Sequence, residues 1–258
     1  MTQRPRSTAR TATAGLVGLC SLVFLACVVG LGLRADEPLA SIPRSIWAFD
    51  DVPLLEAAGG LAAVRVWQDG EWWRVLSCGF LHGSWLHLVL NMLGLWAVGQ
   101  WTEKVWGPWR QLGLFLLASV GGCLASLAWA EAPLVVGASA GIFGIAGALV
   151  VARAWGSEEV QESLEPISAR VLGFWLVFWL VLGAVLPVLG ISLLAQAGHV
   201  GGLAFGCGLG WVFSRPKERR LSRLAGALVI LSALVGVTAA SATPSRRSGY
   251  HVMLGGEA

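Results

Sequence analysis

Long segments without a charged side chain are the feature that most constrains the fold of this chain. The first of them runs from Ala14 to Leu33 and contains no Lys, Arg, Asp or Glu. At about 1.5 Å per helical residue, a segment of this length crosses a hydrocarbon core of about 30 Å. Repeated segments of this kind indicate a polytopic membrane protein built from helices.

Seven such segments are predicted to span a membrane, the seventh more weakly, which gives an all-α polytopic fold. They lie at residues 14–33, 85–101, 111–130, 136–152, 171–189, 193–213 and 224–240. The composition agrees, because 56% of the residues are hydrophobic and 13% are charged, against about 45–50% and about 25% in soluble domains. A cleaved signal peptide is the alternative for the first segment. Its apolar region would be shorter, about 7–15 residues, and the sequence after Leu33 matches a cleavage motif poorly.

The positions of Lys and Arg predict the orientation, because basic residues favour the cytoplasmic side of a membrane. If the N-terminus is cytoplasmic, the short outer loops carry no basic residue, whereas every inner segment does: 1–13, 102–110, 153–170 and 214–223. The long outer loop carries several, but long segments translocate largely regardless of charge. Its tryptophans predict that it lies partly in the membrane interface. The predicted organisation is therefore a cytoplasmic N-terminus 1–13, a six-span core 14–213 with outer loop 34–83, a basic loop and seventh span 214–240, and a polar tail 241–258.

Four polar side chains lie inside the predicted spans, where polar groups are costly and usually functional. They are His87, Asn91, Ser139 and His199. In the predicted topology all four occupy the outer halves of their helices, and the i, i+4 spacing puts His87 and Asn91 on one helix face. Four polar groups at a similar depth on three helices predict a single site.

Stripes of small residues favour a close approach between the fourth and sixth spans. The stripes have a spacing of four and consist of Ala140, Gly144 and Ala148 on the fourth span and of Gly198, Gly202, Gly206 and Gly210 on the sixth. Small residues let helix backbones approach closely in a membrane. Because each glycine costs roughly 1 kcal/mol in a helix relative to alanine, the stripes indicate that proximity is required. Such packing would bring Ser139 toward His199.

The chemistry that fits these residues is acyl transfer. A serine hydroxyl needs a base to take its proton, and a neutral imidazole is suited to that task near neutral pH. His87 and Asn91 would donate hydrogen bonds to the developing oxyanion, together with the backbone N–H of Ser139. No Asp or Glu lies in the middle of a predicted span, so we infer a Ser-His dyad without a third, acidic member.

Five motifs in order make the sequence resemble the rhomboid family of intramembrane serine proteases. They are Trp73-Arg74 for the WR motif, His82–Asn91 for HxxxxHxxxN, Glu103 with Gly107 for ExxxG, Gly137–Gly144 for the Gly-x-Ser motif and Ala197–Gly206 for HxxGxxxG. Together they cover about residues 70–210. The resemblance implies a six-helix core, which the seventh span extends at the C-terminus as in a known variant of the family.

The resemblance also implies the roles of the site residues. Ser139 would be the nucleophile and His199 the base, with oxyanion support from His87 and Asn91. Supporting positions are Gly137 and Gly202 in the motifs and Phe143, which would stack beneath the His199 ring. The implied activity is cleavage of single-span membrane proteins near the outer leaflet, without a metal or other cofactor, in a bacterial inner membrane. The family usually has Gly directly after the serine, where this chain has Ala140.

Other interpretations remain open at this point. Ser139 alone could be a packing serine, and His199 alone a hydrogen-bonded interhelical histidine. His82 could line the water entry or sit at the interface. A bulky face on the fifth span could contact lipid or form a lateral gate for substrate, and it consists of Phe174, Trp175, Phe178 and Trp179. The five cysteines show no CxxC spacing, and most resemble small hydrophobic residues.

Three other functions compete with proteolysis. A catalytically silent rhomboid-like protein would bind and route membrane clients, but it would be expected to lack the serine or the histidine. A channel or transporter would need charges or broken helices deep in the spans. A metalloprotease would need an HExxH motif or three zinc ligands. The net charge of +3, confined to loops, does not favour nucleic-acid binding.

Overall fold

The computed structural model describes residues 10–34, 52–129, 134–188 and 196–214. The helices in these ranges are α1 (Thr11–Arg34), α2 (Val52–Ala57), α3 (Ala63–Trp67), α4 (Arg74–Ser77), α5 (Trp85–Trp106), α6 (Pro108–Trp129), α7 (Ser139–Trp155), α8 (Glu158–Ser163), α9 (Ala169–Val188) and α10 (Gln196–Phe213). A 3-10 helix at Cys78–Phe80 follows α4, and a β-bridge joins Leu61 to Val135. The described part of the chain is thus mostly helical and contains no longer strand, as the sequence predicts.

Helix length and hydropathy support two or three membrane crossings among the described residues. Among the described residues, two helical segments, Thr11–Gly30 and Pro108–Trp129, are long and apolar enough to span a membrane. A third is added if Arg74–Phe80 and Trp85–Trp106, which meet at a bend of 94°, form one span. α7 is apolar but short, and α10 combines polar residues with many glycines, which lowers its hydropathy. The predicted seventh span at 224–240, with the basic segment before it and the tail after it, lies outside the described residues.

The two predicted stripes of small residues face each other in the bundle. α10 packs most extensively against α7 and α6. A Cβ atom added to Gly202 would overlap the backbone of Ala140, and one added to Gly206 would overlap the backbone of Gly144. The close approach predicted from the four-residue spacing is therefore confirmed. The two helices run parallel, so their N-terminal ends lie side by side.

The described part of the long loop between α1 and α5 is packed onto the bundle. Leu61, Val66 and Cys78 are buried, and they form an apolar cluster with Cys123 and Leu127 of α6. From the sequence, this segment is expected to lie partly in the membrane interface. In the structure it also folds into the short helices α2 to α4, which the sequence analysis does not predict. The cluster therefore positions the loop against α6, which itself packs on α7 and α10.

Arg74 holds this loop together from the inside. Its side chain is buried, and it donates hydrogen bonds to the carbonyls of Glu56 and Gly60 and pairs with Glu71. The guanidinium also lies 4.8 Å from the ring centroid of Trp73, within range of a cation–π contact. A buried guanidinium is stable only when its N–H groups have hydrogen-bond acceptors. Because the acceptors of Arg74 lie in different parts of the loop, the Trp73-Arg74 motif holds these parts together.

A buried carboxylate ties α1 to the end of α5. Glu103 accepts hydrogen bonds from the backbone N–H groups of Ala12 and Thr13 and from the hydroxyls of Thr11 and Thr13, at 2.9 to 3.1 Å. These N–H groups belong to the first turn of α1 and have no partner within that helix. Gly107, at φ +83, ends α5 and donates its N–H to the Glu103 carbonyl. Within the ExxxG motif, Glu103 therefore caps the N-terminus of α1, and Gly107 ends α5.

Candidate active site

Ser139 and His199 form a hydrogen-bonded pair. Ser139 is the first residue of α7, and its Oγ lies 2.8 Å from Nε2 of His199 in the first turn of α10. The two residues meet because the parallel packing of α7 on α10 aligns the starts of both helices. His199 is buried and Ser139 is half-buried. This distance is within the range expected of a nucleophile and its base.

The ring of His199 lies flat against Phe143. The ring centroids are 4.5 Å apart and the planes differ by 8°. Phe143 is four residues after Ser139 on α7, so both side chains project from the same face of the helix. This stack fixes the plane of the imidazole, which leaves its Nε2 directed toward the serine.

The His87 ring lies beside Gly137, close to Ser139. Gly137 has φ +124, a conformation that favours glycine, and its N–H donates to the Cys78 carbonyl at 2.9 Å. A Cβ atom at Gly137 would lie 2.7 Å from Nε2 of His87 and 3.8 Å from Oγ of Ser139. The absence of a side chain at Gly137 therefore leaves room for the His87 ring beside the serine.

Asn91 forms a hydrogen bond within its own helix. It is buried one turn deeper on α5, and its Nδ2 donates to the His87 carbonyl at 2.8 Å. One amide hydrogen is thus used within its own helix. The i, i+4 spacing places His87 and Asn91 on a common helix face, and oxyanion support from Asn91 stays a prediction.

A small cavity joins these residues to the loop that precedes α5. Its volume is about 40 Å³, and its wall includes His87, Ser119, Gly137, Ser139 and His199. A water molecule requires roughly 10–15 Å³ of such space and two to four polar partners. The cavity is therefore large and polar enough to hold a water molecule next to the Ser139 hydroxyl.

The alanine that follows the serine is accommodated by a glycine on α6. A Cβ atom added to Gly122 would lie 2.5 Å from the Cβ of Ala140 and 2.5 Å from the Gly198 carbonyl oxygen. The methyl group of Ala140 thus occupies the space that a side chain at position 122 would fill. The departure from the usual Gly after the serine is explained by this local packing.

Two further features of the site were not singled out in the sequence. Oε1 of Gln196 lies 3.2 Å from Nδ1 of His199, and the i, i+3 spacing on α10 is the signal that could have indicated it. The Sγ atoms of Cys78 and Cys123 lie 3.1 Å apart on the wall of the same cavity. No local pattern indicates that pair, because it joins a loop to a distant helix.

His82 is buried, and this position excludes an exposed place at the membrane interface. It is 1% exposed, and its ring packs edge-on against His87 with a centroid distance of 5.1 Å. His82 is therefore a packing partner of His87 in this structure.

Comparison with known proteins points to the same part of the chain. A family model described as the Rhomboid domain matches residues 69–216, which is more than half of the chain and includes every residue of the site. The chain belongs to the rhomboid family. Membership of this family supports the interpretation of the chain as an integral membrane protein and as an intramembrane protease.

The rhomboid relatives come from different kinds of organism. Rhomboid protease GluP of Bacillus subtilis (strain 168) is 32% identical over 169 residues, which cover 65% of this chain and 31% of the relative. RHOMBOID-like protein 5 of Arabidopsis thaliana is 39% identical over 122 residues, 46% of this chain and 38% of the relative. Rhomboid-like protease 5 of Toxoplasma gondii is 36% identical over 113 residues, 42% of this chain and 13% of the relative. The chain spans well under half the length of these relatives, and their range of organisms gives no support for a bacterial membrane in particular.

Proposed function

We propose that this rhomboid family member is an intramembrane serine endopeptidase. It would hydrolyse a peptide bond of single-span membrane proteins near the outer leaflet, with Ser139 as nucleophile and His199 as base. The observation that carries the proposal is the 2.8 Å contact between Oγ of Ser139 and Nε2 of His199. A serine and an imidazole in this contact, beside a water-sized cavity, form the minimal set for hydrolysis through an acyl-enzyme.

The proposed reaction has two halves. In the first, Nε2 of His199 takes the hydroxyl proton while Oγ of Ser139 attacks the carbonyl carbon, and the resulting imidazolium gives that proton to the leaving amine. In the second, a water molecule in the cavity attacks the acyl-serine, with His199 again accepting the proton and returning it to Oγ. The ring centroid of Phe143 lies 4.5 Å from the imidazole centroid with the rings nearly parallel, where its face would stabilise the imidazolium by a cation–π contact.

The developing oxyanion would be stabilised by donors at the start of α7. The backbone N–H of Ser139 belongs to the first turn of α7, which has no side-chain cap, and such groups attract negative charge. The His87 ring beside Gly137 is the second donor, and loss of one donor of this kind costs about 2.7–4 kcal/mol of transition-state stabilisation. We assign Asn91 the smaller contribution, because one of its amide hydrogens is already bonded to the His87 carbonyl.

We propose that the six long helices α1, α5, α6, α7, α9 and α10 are the spans of the core, with a seventh at 224–240. The site lies at the N-terminal ends of α5, α7 and α10, whereas Glu103 holds the start of α1 near the other end of α5. His87 and Glu103 are separated by roughly 24 Å along α5, close to the thickness of a hydrocarbon core. A site near the outer leaflet therefore fits a cytoplasmic N-terminus.

Substrate would approach along α9. Phe174, Trp175 and Phe178 are exposed on this helix, and Trp179 is half-buried. In a bilayer this face contacts lipid, and it is the aromatic surface that an incoming substrate helix would meet. Local unwinding of that helix would be required, because the carbonyls of a helix are already hydrogen-bonded and sterically hidden.

Labelling with a serine-reactive fluorophosphonate tests the proposed nucleophile. We expect the wild-type protein to be labelled and Ser139→Ala to lose the label, because Ser139 is hydrogen-bonded to the His199 imidazole, whereas Ser119 on the same cavity wall donates to the Phe115 carbonyl. Ser126→Ala is the matched control, since Ser126 is buried on the same cavity wall, and it should label like wild type. A folded wild-type protein that is not labelled would instead indicate a catalytically silent rhomboid-like protein that binds membrane clients.

A further inference from the structure

The Nδ1 atom of His199 has a partner that a dyad does not include. Oε1 of Gln196 lies 3.2 Å from Nδ1, one turn earlier on α10. The other end of the same amide is also engaged, because Nε2 of Gln196 donates to the Leu180 carbonyl on α9. An amide nitrogen only donates and an amide oxygen only accepts. The bond to Leu180 therefore fixes which end of the amide faces the histidine.

This arrangement selects one tautomer of the neutral imidazole. An accepting oxygen opposite Nδ1 is satisfied only when Nδ1 carries the hydrogen, and the lone pair of the ring is then on Nε2. Nε2 is the atom that faces the Ser139 hydroxyl at 2.8 Å. In the opposite tautomer, Nε2 would carry the hydrogen and could not accept the serine proton.

We propose that Gln196 is the positioning residue that holds His199 in its basic tautomer. It supplies the orienting contact that a carboxylate provides in a Ser-His-Asp triad, but without a negative charge. The Gln196 amide belongs to α10 and is bonded to a carbonyl of α9, so both helices help to orient the imidazole. This inference rests on the proposed function, because it assigns a role within the same reaction.

Two variants of Gln196 separate orientation from packing. Gln196→Met keeps the length of the side chain and removes the acceptor, and we expect kcat for a single-span reporter to fall roughly three- to tenfold with KM unchanged. Gln196→Glu keeps the acceptor and adds a negative charge that stabilises the imidazolium, so activity should be retained and the acidic limb of the pH profile should move upward by about one unit or more. Gln100→Met is the matched control, because Gln100 lies on α5 away from the site, and it should behave like wild type.

The tautomer of His199 can also be measured by a method that does not depend on catalytic activity. We expect nitrogen NMR of histidine-labelled Ser139→Ala protein to show the Nδ1–H tautomer of His199, and a mixture of tautomers once Gln196→Met is added. An unchanged tautomer and pH profile in Gln196→Met would overturn the proposal, and so would a loss of kcat that Gln196→Glu does not restore. If wild type itself fails to cleave and to label, the proposed function fails instead.

A second inference comes from the thiols of Cys78 and Cys123. Their Sγ atoms lie 3.1 Å apart, and both residues are buried on the wall of the cavity that contains Ser139. Cys78 begins the 3-10 helix, and its carbonyl accepts the N–H of Gly137 at 2.9 Å. Cys123 follows Gly122, which packs against Ala140. The two thiols therefore connect the segment that holds Gly137 with the segment that packs against Ala140, and these two residues lie on either side of Ser139 in the sequence.

We infer that this thiol pair is a site of reversible oxidation that changes the reactivity of Ser139. A small oxidised disulfide would accept attack by one cysteine thiolate and release its first thiol, and the second cysteine would then displace the other thiol. The protein loses two protons and two electrons, and one disulfide is reduced to two thiols. Because an S–S bond is about 2.05 Å long, closure draws the 3-10 helix toward α6 and displaces the carbonyl that holds Gly137.

Mass spectrometry and fluorophosphonate labelling test this inference together. After treatment with dipyridyl disulfide, we expect a crosslinked peptide containing positions 78 and 123, a labelling rate of Ser139 that falls several-fold, and recovery with dithiothreitol. Cys123→Ser should keep its labelling rate under the oxidant, whereas Cys207→Ser, which removes a half-buried thiol elsewhere, should respond like wild type. No crosslink, or a crosslink with unchanged labelling, would overturn the inference; the crosslink itself is detected whether or not the protein is a protease.

Discussion

Replacing Gly206 by alanine is expected to reduce cleavage by roughly 100-fold and to lower the thermal midpoint of the protein. A Cβ atom at this position overlaps three backbone atoms of Gly144, and a backbone cannot turn aside as a flexible side chain can. Overpacking of this kind costs about 1–3 kcal/mol. α10 would have to move away from α7, which separates His199 from Ser139, and a displacement of about 1 Å can cost roughly 10²-fold in rate.

A glycine on the opposite side of the same helix provides the control. A Cβ atom added to Gly208 meets no heavy atom within 4 Å, so Gly208→Ala should leave cleavage unchanged. It should also raise stability by up to about 1 kcal/mol, because alanine favours a helix over glycine. Thermal unfolding and reporter cleavage of the two variants measure the difference. Equal behaviour of Gly206→Ala and Gly208→Ala would show that the contact between α7 and α10 does not position the site.

Loss of either Ser139 or His199 is expected to lower the cleavage rate by about 10⁴-fold or more. Without the base, the hydroxyl retains its proton, and without the hydroxyl, no acyl-enzyme can form. Because the two residues act as one unit, the double variant should be no slower than the slower single variant. Stability should change little in Ser139→Ala, since the hydrogen bond to His199 is worth about 1 kcal/mol.

Features that follow from a regular spacing could be predicted from the sequence. The contact of Gly202 and Gly206 with α7 follows from the four-residue repeat, since residues four apart lie on one helix face and small residues permit close approach. The meeting of Ser139 and His199 follows from that contact, because each begins its helix. The resemblance to the rhomboid family added the stack of Phe143 on the imidazole.

Contacts that depend on the path of the chain between helices could not be predicted. Cys78 and Cys123 meet because the loop before α5 folds back on α6, and no spacing within either segment records that path. Asn91 shares a helix face with His87, but its rotamer directs the amide to a backbone carbonyl. Gln196 lies three residues before His199 on the same helix, but its amide orientation is fixed by a carbonyl on another helix.

Cleavage of a reporter single-span protein, reconstituted in liposomes with the purified enzyme, tests the central claim most directly. The reporter is incubated with equal amounts of wild type, Ser139→Ala and His199→Ala, and its fragments are followed over time. The account predicts cut reporter with wild type and no product above the protein-free level with either variant. Cleavage at the wild-type rate by both variants would contradict it.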